Sequence, residues 1–135
     1  IEPSVGLDRL FLSVLCDGLK HEELEDGEIR EVFKVLPSLA PIKATILPLI
    51  KKKHSEKAME IYGKLCNEFY VSYDESGSIG KRYRRCDAIG TPFVITVDDE
   101  TLENNTVTIR DRDTMQQIKL NINELANYIN ERIKF

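Results

Sequence analysis

The sequence predicts an α/β domain built on a mixed sheet of about five strands with helices on both faces. Between residues 42 and 97, apolar runs of strand length alternate with amphipathic helical patterns, which predicts parallel strands joined by right-handed crossovers. Residues 106–110 and 115–120 then alternate like the two strands of an antiparallel hairpin. With 135 residues, 41% of them hydrophobic and 31% charged, the chain is large enough for one domain with a real core.

The first 35 residues differ from the rest of the chain. Residues 6–20 form a predicted helix that is apolar nearly all round, and such a helix is expected to be covered on every side. We therefore interpret the chain as a piece of a larger protein whose other part covers this helix. Residues 21–35 are acidic, and we expect a mobile linker there, with an exposed helical turn as the alternative.

The predicted elements of the main domain, residues 36–135, follow in order. They are an extended connector at 37–41, a buried strand at 42–49, a helix capped by Ser55, a short strand at 70–73, a basic helix after Ser78, a buried strand at 93–97, an acidic loop at 98–105, the hairpin with its turn at 111–114, and a last helix. The last helix begins at a capping box formed by Asn121 and Glu124.

The basic helix, residues 78–90, is the strongest chemical feature. Four of the five positions from 81 to 85 are cationic in a chain whose net charge is −4. On a helical wheel Lys81, Arg84 and Arg85 lie opposite the apolar residues, and Arg82 lies at the border. A concentration of positive charge on one short rigid element suits a polyanion. The alternative is a solvated charged face with no partner.

Several classes of function lack their signatures. A pI near 5.3 argues against a generally basic nucleic-acid coat, so any contact with nucleic acid must be local. Three unpaired cysteines on predicted helices indicate reduced thiols in a cytosolic protein, and no signal peptide or membrane-spanning run is visible. A phosphate loop fails because Glu75 stands where its first glycine belongs. No spacing suggests a zinc site or a catalytic triad.

Single-stranded RNA is held by local cations, by aromatic platforms for unstacked bases and by side chains that read base edges. Tyr70, Tyr83 and Phe93 lie close in sequence to the cations, and residues 111–113 read Asp-Arg-Asp at the hairpin turn. Aspartate accepts from the cytosine amino group, and arginine donates to base acceptors or phosphate. Core packing is the alternative for the aromatic residues. A turn clamp with internal ion pairs is the alternative for Asp-Arg-Asp.

Five segments carry a resemblance to a known family. Residues 1–9 resemble the third signature motif of class II aminoacyl-tRNA synthetases in their homodimeric glycyl form. Residues 39–49, 74–85, 87–93 and 106–115 resemble the C-terminal anticodon-binding domain of the same enzymes. The resemblance divides the chain into the end of a catalytic domain at 1–20, a linker at 21–35 and an anticodon-binding domain at 36–135.

The resemblance implies that the parent enzyme activates glycine with ATP and magnesium and transfers it to tRNA, with no cofactor in this piece. Arg9 is the implied catalytic residue because it contacts an ATP phosphate, and Gly6 lets adenine approach the backbone. The implied site residues are Gly6, Leu7, Asp8 and Arg9 for ATP, and Glu2 and Ser4 for glycine. The first and second signature motifs are absent, so we expect the piece alone to be inactive.

The implied partner is the anticodon loop of glycine tRNA, whose second and third anticodon bases are cytosine. The resemblance further implies a homodimeric parent enzyme in the cytoplasm that binds neither membrane nor DNA. The expected tRNA contacts are Lys81, Arg84, Arg85, Phe93, Arg110, Asp111, Arg112 and Asp113. The alternatives are a non-enzymatic accessory protein with a synthetase-like domain, a prolyl, threonyl or histidyl relative, and a free-standing α/β domain that binds a small molecule.

Overall fold

The computed structural model describes residues 3–25 and 27–134. Its elements in chain order are α1 (Leu7–Gly18), β1 (Leu19–Glu23), β2 (Ile29–Phe33), β3 (Ala44–Pro48), α2 (Lys51–Leu65), β4 (Val71–Tyr73), α3 (Ile79–Ile89), β5 (Phe93–Val97), α4 (Asp99–Asn104), β6 (Thr106–Asp111), β7 (Gln117–Asn121), a 3₁₀ turn (Ile122–Glu124) and α5 (Leu125–Ile133).

The main sheet has five strands in the order β4-β3-β5-β6-β7. Strand β3 runs parallel to β4 and β5, because helices α2 and α3 return the chain to the same end of the sheet. Strand β6 is antiparallel to β5 and β7. The predicted mixed sheet of about five strands flanked by helices is therefore confirmed.

The two faces of the sheet carry separate apolar clusters. On one face Ile46, Ile95 and Ile109 pack against α2 and α5 in the larger core. On the other face Leu47 and Val94 pack beneath α3. Strand β5 is buried along its whole length, as its continuous apolar run predicts, because helices cover both of its sides.

Strands β1 and β2 pair as an antiparallel hairpin, with Leu19 opposite Phe33 and Glu23 opposite Ile29, where the sequence predicted a mobile linker from residue 21. Strand β2 alternates, and its inward side chains, Arg30 and Val32, are 5% and 0% exposed. Their burial against the main domain explains why the segment is ordered in spite of its acidic composition. We call residues 19–33 the acidic hairpin.

Helix α1 is close to its predicted span, and its apolar side chains Leu7, Leu10 and Phe11 are exposed. An open apolar groove of about 820 Å³ separates these side chains from Phe33, Pro41 and other residues of the main body. None of the described helices is both long enough and apolar enough to span a bilayer.

Two predicted boundaries differ in the structure. Helix α2 begins at Lys51 rather than after Ser55, and the Ser55 hydroxyl donates to the Lys51 carbonyl oxygen at 2.6 Å instead of capping the helix. The predicted acidic loop contains the short helix α4, which is capped by the Asp98 side chain. The capping box of Asn121 and Glu124 is confirmed at the 3₁₀ turn.

Candidate nucleic-acid interface

Helix α3 is fixed on the sheet by its apolar side and by its two ends. Tyr83 and Cys86 pack against Leu47 and Val94. Gly90 ends the helix in the left-handed conformation at φ 82°, and a Cβ there would lie 2.6 Å from the Phe33 ring of the acidic hairpin. Glycine is therefore required at position 90 for both its backbone conformation and its close packing.

The cation that was expected at the border of α3 is structural. Arg82 is 5% exposed, and its Nη1 donates to the Pro48 carbonyl oxygen at 2.6 Å. Its Nε and Nη2 donate to the Gly77 carbonyl oxygen at 3.2 and 2.8 Å. Arg82 thus ties the loop before α3 to the end of β3, and each of its three guanidinium nitrogens donates to a carbonyl oxygen of the protein.

Lys81, Arg84 and Arg85 are exposed on α3, as the helical wheel predicts. Arg84 forms an ion pair with Glu28 at the tip of the acidic hairpin. Arg85 binds the Asp74 carboxylate through Nε at 3.0 Å and the Ser76 carbonyl oxygen through Nη2 at 2.6 Å. Within the described ranges, Lys81 makes no ion pair or side-chain hydrogen bond. The three cations therefore differ in how strongly the protein itself holds them.

The carboxylate of Asp74, which pairs with Arg85, is held in place and in its ionised form by neighbouring groups. Partial burial alone would raise its pKa, but hydrogen bonds from the Ser76 backbone and from Arg85 hold the pKa below its ordinary value. The bond from the Ser76 amide to Asp74 is 2.9 Å long. Arg85 is consequently bound to a preformed turn rather than to a freely moving acid.

Arg110 lies beside α3 at the end of β6, with only 8% of its surface exposed. Its Nη1 and Nη2 donate to the two carboxylate oxygens of Asp87 at 2.8 and 3.1 Å. Its guanidinium lies 5.1 Å from the centre of the Tyr83 ring, whose hydroxyl is 2.8 Å from Thr96 Oγ1. Both outer donor groups of Arg110 are therefore committed within the protein.

The same Asp87 carboxylate joins the acidic hairpin to α3. Arg30 donates through Nε to Asp87 at 2.9 Å and through Nη1 to Glu22 at 2.9 Å, and its Nη2 donates to the Arg112 carbonyl oxygen. Neither Asp87 nor Arg30 was singled out from the sequence. The signals that the sequence offers for them are an arginine in an acidic segment and an acid within a basic helix.

The Asp-Arg-Asp segment has the geometry of a clamped turn. Asp111 Oδ1 accepts from the backbone amides of Asp113 and Thr114, both at 2.9 Å. Arg112, 1% exposed, donates to the carbonyl oxygens of Phe33, Val35 and Gly90 at 2.7–3.1 Å and to both oxygens of Asp113 at 2.9 Å. Arg112 therefore fastens the turn to α3 and the acidic hairpin, and the Asp113 side chain remains 44% exposed.

Phe93 was expected in the tRNA-contacting surface, but its side chain belongs to the larger core. It is 1% exposed and packs edge-on against the Tyr128 ring with centroids 5.8 Å apart. Successive strand residues point to opposite faces, and Val94, not Phe93, lies under α3. In this structure Phe93 offers no face to a base.

Polar residues of β6 and β7 extend the surface beside α3. Thr108 and Lys119 face each other across the two strands, as do Arg110 and Gln117, so these side chains share the α3 side of the sheet. Gln117 and Lys119 are exposed. None of Thr108, Gln117 and Lys119 was predicted as a site residue, although the strand alternation places them on the same face as Arg110.

The residues that the resemblance connects with ATP lie at the start of α1. Ser4 and Gly6 precede the helix, Leu7–Arg9 form part of its first turn, and all are exposed, whereas Glu2 lies outside the described residues. Across the ranges 3–25 and 27–134, no three His, Cys, Asp or Glu side chains come together as metal ligands.

The fold and the basic helix together define an α/β domain that displays a local cluster of cations on α3. Residues 43–132 match the family described as "Anticodon binding domain". Because this match covers most of the chain, the chain belongs to the anticodon binding domain family.

Relatives over the whole chain extend this assignment. The chain is 56% identical to a glycine–tRNA ligase of Clostridium tetani and 54% identical to one of Macrococcus caseolyticus, in each case over all of this chain and 29% of the relative. Among solved structures, it resembles the RNA binding domain of threonyl-tRNA synthetase from Cryptosporidium parvum. That likeness has a TM-score of 0.63 and 26% identity over 68% of this chain and 24% of the other. The chain spans less than a third of the length of its ligase relatives.

Proposed function

We propose that this chain is the anticodon-binding part of a glycine–tRNA ligase and that it grips the anticodon loop of glycine tRNA. The overall acidic chain, with a net charge of −4, displays Lys81, Arg84 and Arg85 together on one side of α3. That observation carries the proposal, because phosphate contacts supply most of the affinity of a protein for RNA. The 56% identity to glycine–tRNA ligases supports the choice of tRNA.

The Asp-Arg-Asp turn borders the same helix, which lets one RNA loop reach both features. Arg112 binds the carbonyl oxygen of Gly90, at the C-terminal end of α3. Arg84 precedes Gly90 by six residues, which is about 9 Å along the helix axis.

The exposed groups and the buried groups of this surface take different roles in the proposal. Lys81, Arg84 and Arg85 contact phosphates, while the exposed Asp113 carboxylate accepts from a cytosine amino group. Asp111, Arg110 and Arg112 are positioning residues, since their polar atoms hold the turn and α3 in place. Phe93 lies outside the contact surface that we propose.

The activity of the parent enzyme follows from the relatives and is likewise a proposal. The enzyme activates glycine with ATP and magnesium and then transfers it to tRNA in the cytoplasm, as a homodimer. Arg9 faces an ATP phosphate in this proposal, with Gly6, Leu7 and Asp8 along ATP and Glu2 and Ser4 beside glycine. The magnesium and the remaining catalytic groups belong to other parts of the enzyme.

The test measures binding of the 135-residue chain to a fluorescein-labelled anticodon stem–loop of glycine tRNA. A second stem–loop replaces both anticodon cytosines with uracil. We expect tighter binding to the first stem–loop and weaker binding as salt rises. The double variant R84E/R85E should bind more weakly, with a slope of log K against log salt that falls by about 0.7 for each phosphate that the variant no longer neutralises.

Two further variants sharpen this test. Lys52 is exposed at the start of α2, across the sheet from α3, so K52E provides a control charge reversal, of half the size of R84E/R85E, that should leave most of the affinity intact. D113N should reduce the preference for cytosine, and because Arg112 donates to both Asp113 oxygens, urea unfolding must show that the variant keeps its fold before the loss is assigned to a base contact. Equal binding to both stem–loops, or an unchanged salt slope for R84E/R85E, would remove this surface from anticodon recognition.

A further inference from the structure

One acidic residue occupies the surface that the RNA is proposed to use. Arg84 forms its ion pair with Glu28, which comes from the acidic hairpin 56 residues earlier in the chain. The side chains are 62% and 53% exposed, so solvent reaches both partners. A carboxylate and a phosphate present the same kind of acceptor oxygens to a guanidinium. A phosphate that binds at Arg84 Nη2 therefore competes with the Glu28 carboxylate for this nitrogen.

The neighbouring pair shows how Arg84 differs from an arginine that anchors a turn. Arg85 binds Asp74, whose carboxylate is 23% exposed and is also held by the Ser76 amide, and Arg85 binds the Ser76 carbonyl oxygen as well. Arg84 has no comparable backbone bond among the described contacts. Exchange of the carboxylate for a phosphate therefore costs less at Arg84 than at Arg85.

We propose that Glu28 is an intramolecular competitor of the RNA phosphate at Arg84 and thereby sets the affinity of the RNA-binding surface. The inference rests on the proposed function, because it requires RNA to bind at α3. When RNA binds, a phosphate oxygen accepts from the Arg84 guanidinium, and the Glu28 carboxylate gives up its ion pair with Arg84. Exposed ion pairs contribute little free energy, which keeps this exchange reversible and limits its effect on affinity to about two- to fivefold.

The test compares four variants of the 135-residue chain on the labelled glycine anticodon stem–loop over a series of KCl concentrations. E28Q should bind about two- to fivefold more tightly than the wild type, with a salt slope steeper by up to about 0.7. E25Q removes the same charge from another exposed position of the hairpin and should change affinity less. R84Q should weaken binding, and E28Q/R84Q should bind like R84Q.

The outcomes separate this inference from the proposed function. Failure of the wild type to bind, or full affinity in R84Q, would overturn RNA binding at α3 and the competitor with it. Normal weakening by R84Q with no gain in E28Q would overturn the competitor alone. So would an equal gain in E25Q, or a gain from E28Q that persists without Arg84. Urea unfolding of each variant checks that the fold is retained.

Discussion

Asp87 and Arg110 join α3 to β6 through two parallel hydrogen bonds, Nη1 to Oδ1 at 2.8 Å and Nη2 to Oδ2 at 3.1 Å. The Asp87 side chain is 2% exposed and that of Arg110 is 9% exposed. Arg30 of the acidic hairpin donates to the same carboxylate at 2.9 Å. One buried anion thus compensates two guanidinium groups from different elements, and its loss leaves both cations facing each other.

The variant D87N should lower the free energy of unfolding by about 3–5 kcal/mol, because removing one partner of a buried ion pair leaves uncompensated charge. Urea unfolding followed by circular dichroism measures this change. E60Q makes the same acid-to-amide change in an exposed carboxylate that pairs with Lys57 and Lys64, and it should leave stability close to that of the wild type. Similar losses in both variants would contradict a special role for Asp87.

Arg112 should determine whether the acidic hairpin stays attached to the main domain. Its guanidinium bridges the carbonyl oxygens of Phe33 at the end of the acidic hairpin, of Val35 two residues later, and of Gly90 after α3. A lysine ammonium lacks the planar fork that reaches these acceptors together. We expect R112K to lose about 3 kcal/mol of stability and to speed amide hydrogen exchange in β1 and β2 more than in β3 and β5.

A matched substitution on the surface provides the control for R112K. Arg132 is exposed on α5 and lies 3.7 Å from the centre of the Tyr128 ring, away from the contacts that hold the hairpin. R132K should therefore leave the exchange rates of β1 and β2 unchanged. If R112K also leaves them unchanged, the hairpin is held by its apolar contacts and the role given to Arg112 is wrong.

The order of strands and helices in the main domain was predictable because each element has a pattern of residues within its own segment that indicates its type. The apolar run at 93–97, the alternation at 106–110 and the capping box of Asn121 and Glu124 all correspond to observed elements. The acidic hairpin was not predictable in this way. Its order depends on Arg30, whose partner Asp87 lies 57 residues away. Each residue stands out in its own segment by its charge, but local composition does not show that the two pair.

In the candidate site, too, the features that depend on local sequence were predictable and those that depend on distant partners were not. Helical periodicity correctly predicts that Lys81, Arg84 and Arg85 are exposed, because exposure on a helix follows from its spacing. Periodicity does not indicate whether an arginine in a strand or turn donates hydrogen bonds to oxygen atoms of residues far away in the sequence. Arg110 and Arg112 both do so, and their guanidinium groups therefore support the surface instead of lying open to a ligand.

Glu75 should contribute a pH-dependent part of the stability. Hydrogen bonds from Lys51 and then from Tyr73 lower the pKa of Glu75 from 4.5 to about 2. Because the folded-state pKa lies below the unfolded value, this stabilisation is present above about pH 4.5 and is lost as the pH falls toward 2. The difference in urea midpoint between the wild type and E75Q should therefore be constant near neutral pH and shrink as the pH falls through this window.

The variant K51M removes the main donor to Glu75, so E75Q in that background should give a smaller pH-dependent difference. A difference that stays constant down to the lowest pH would show that the ionised Glu75 carboxylate is not preferentially stabilised in the folded protein.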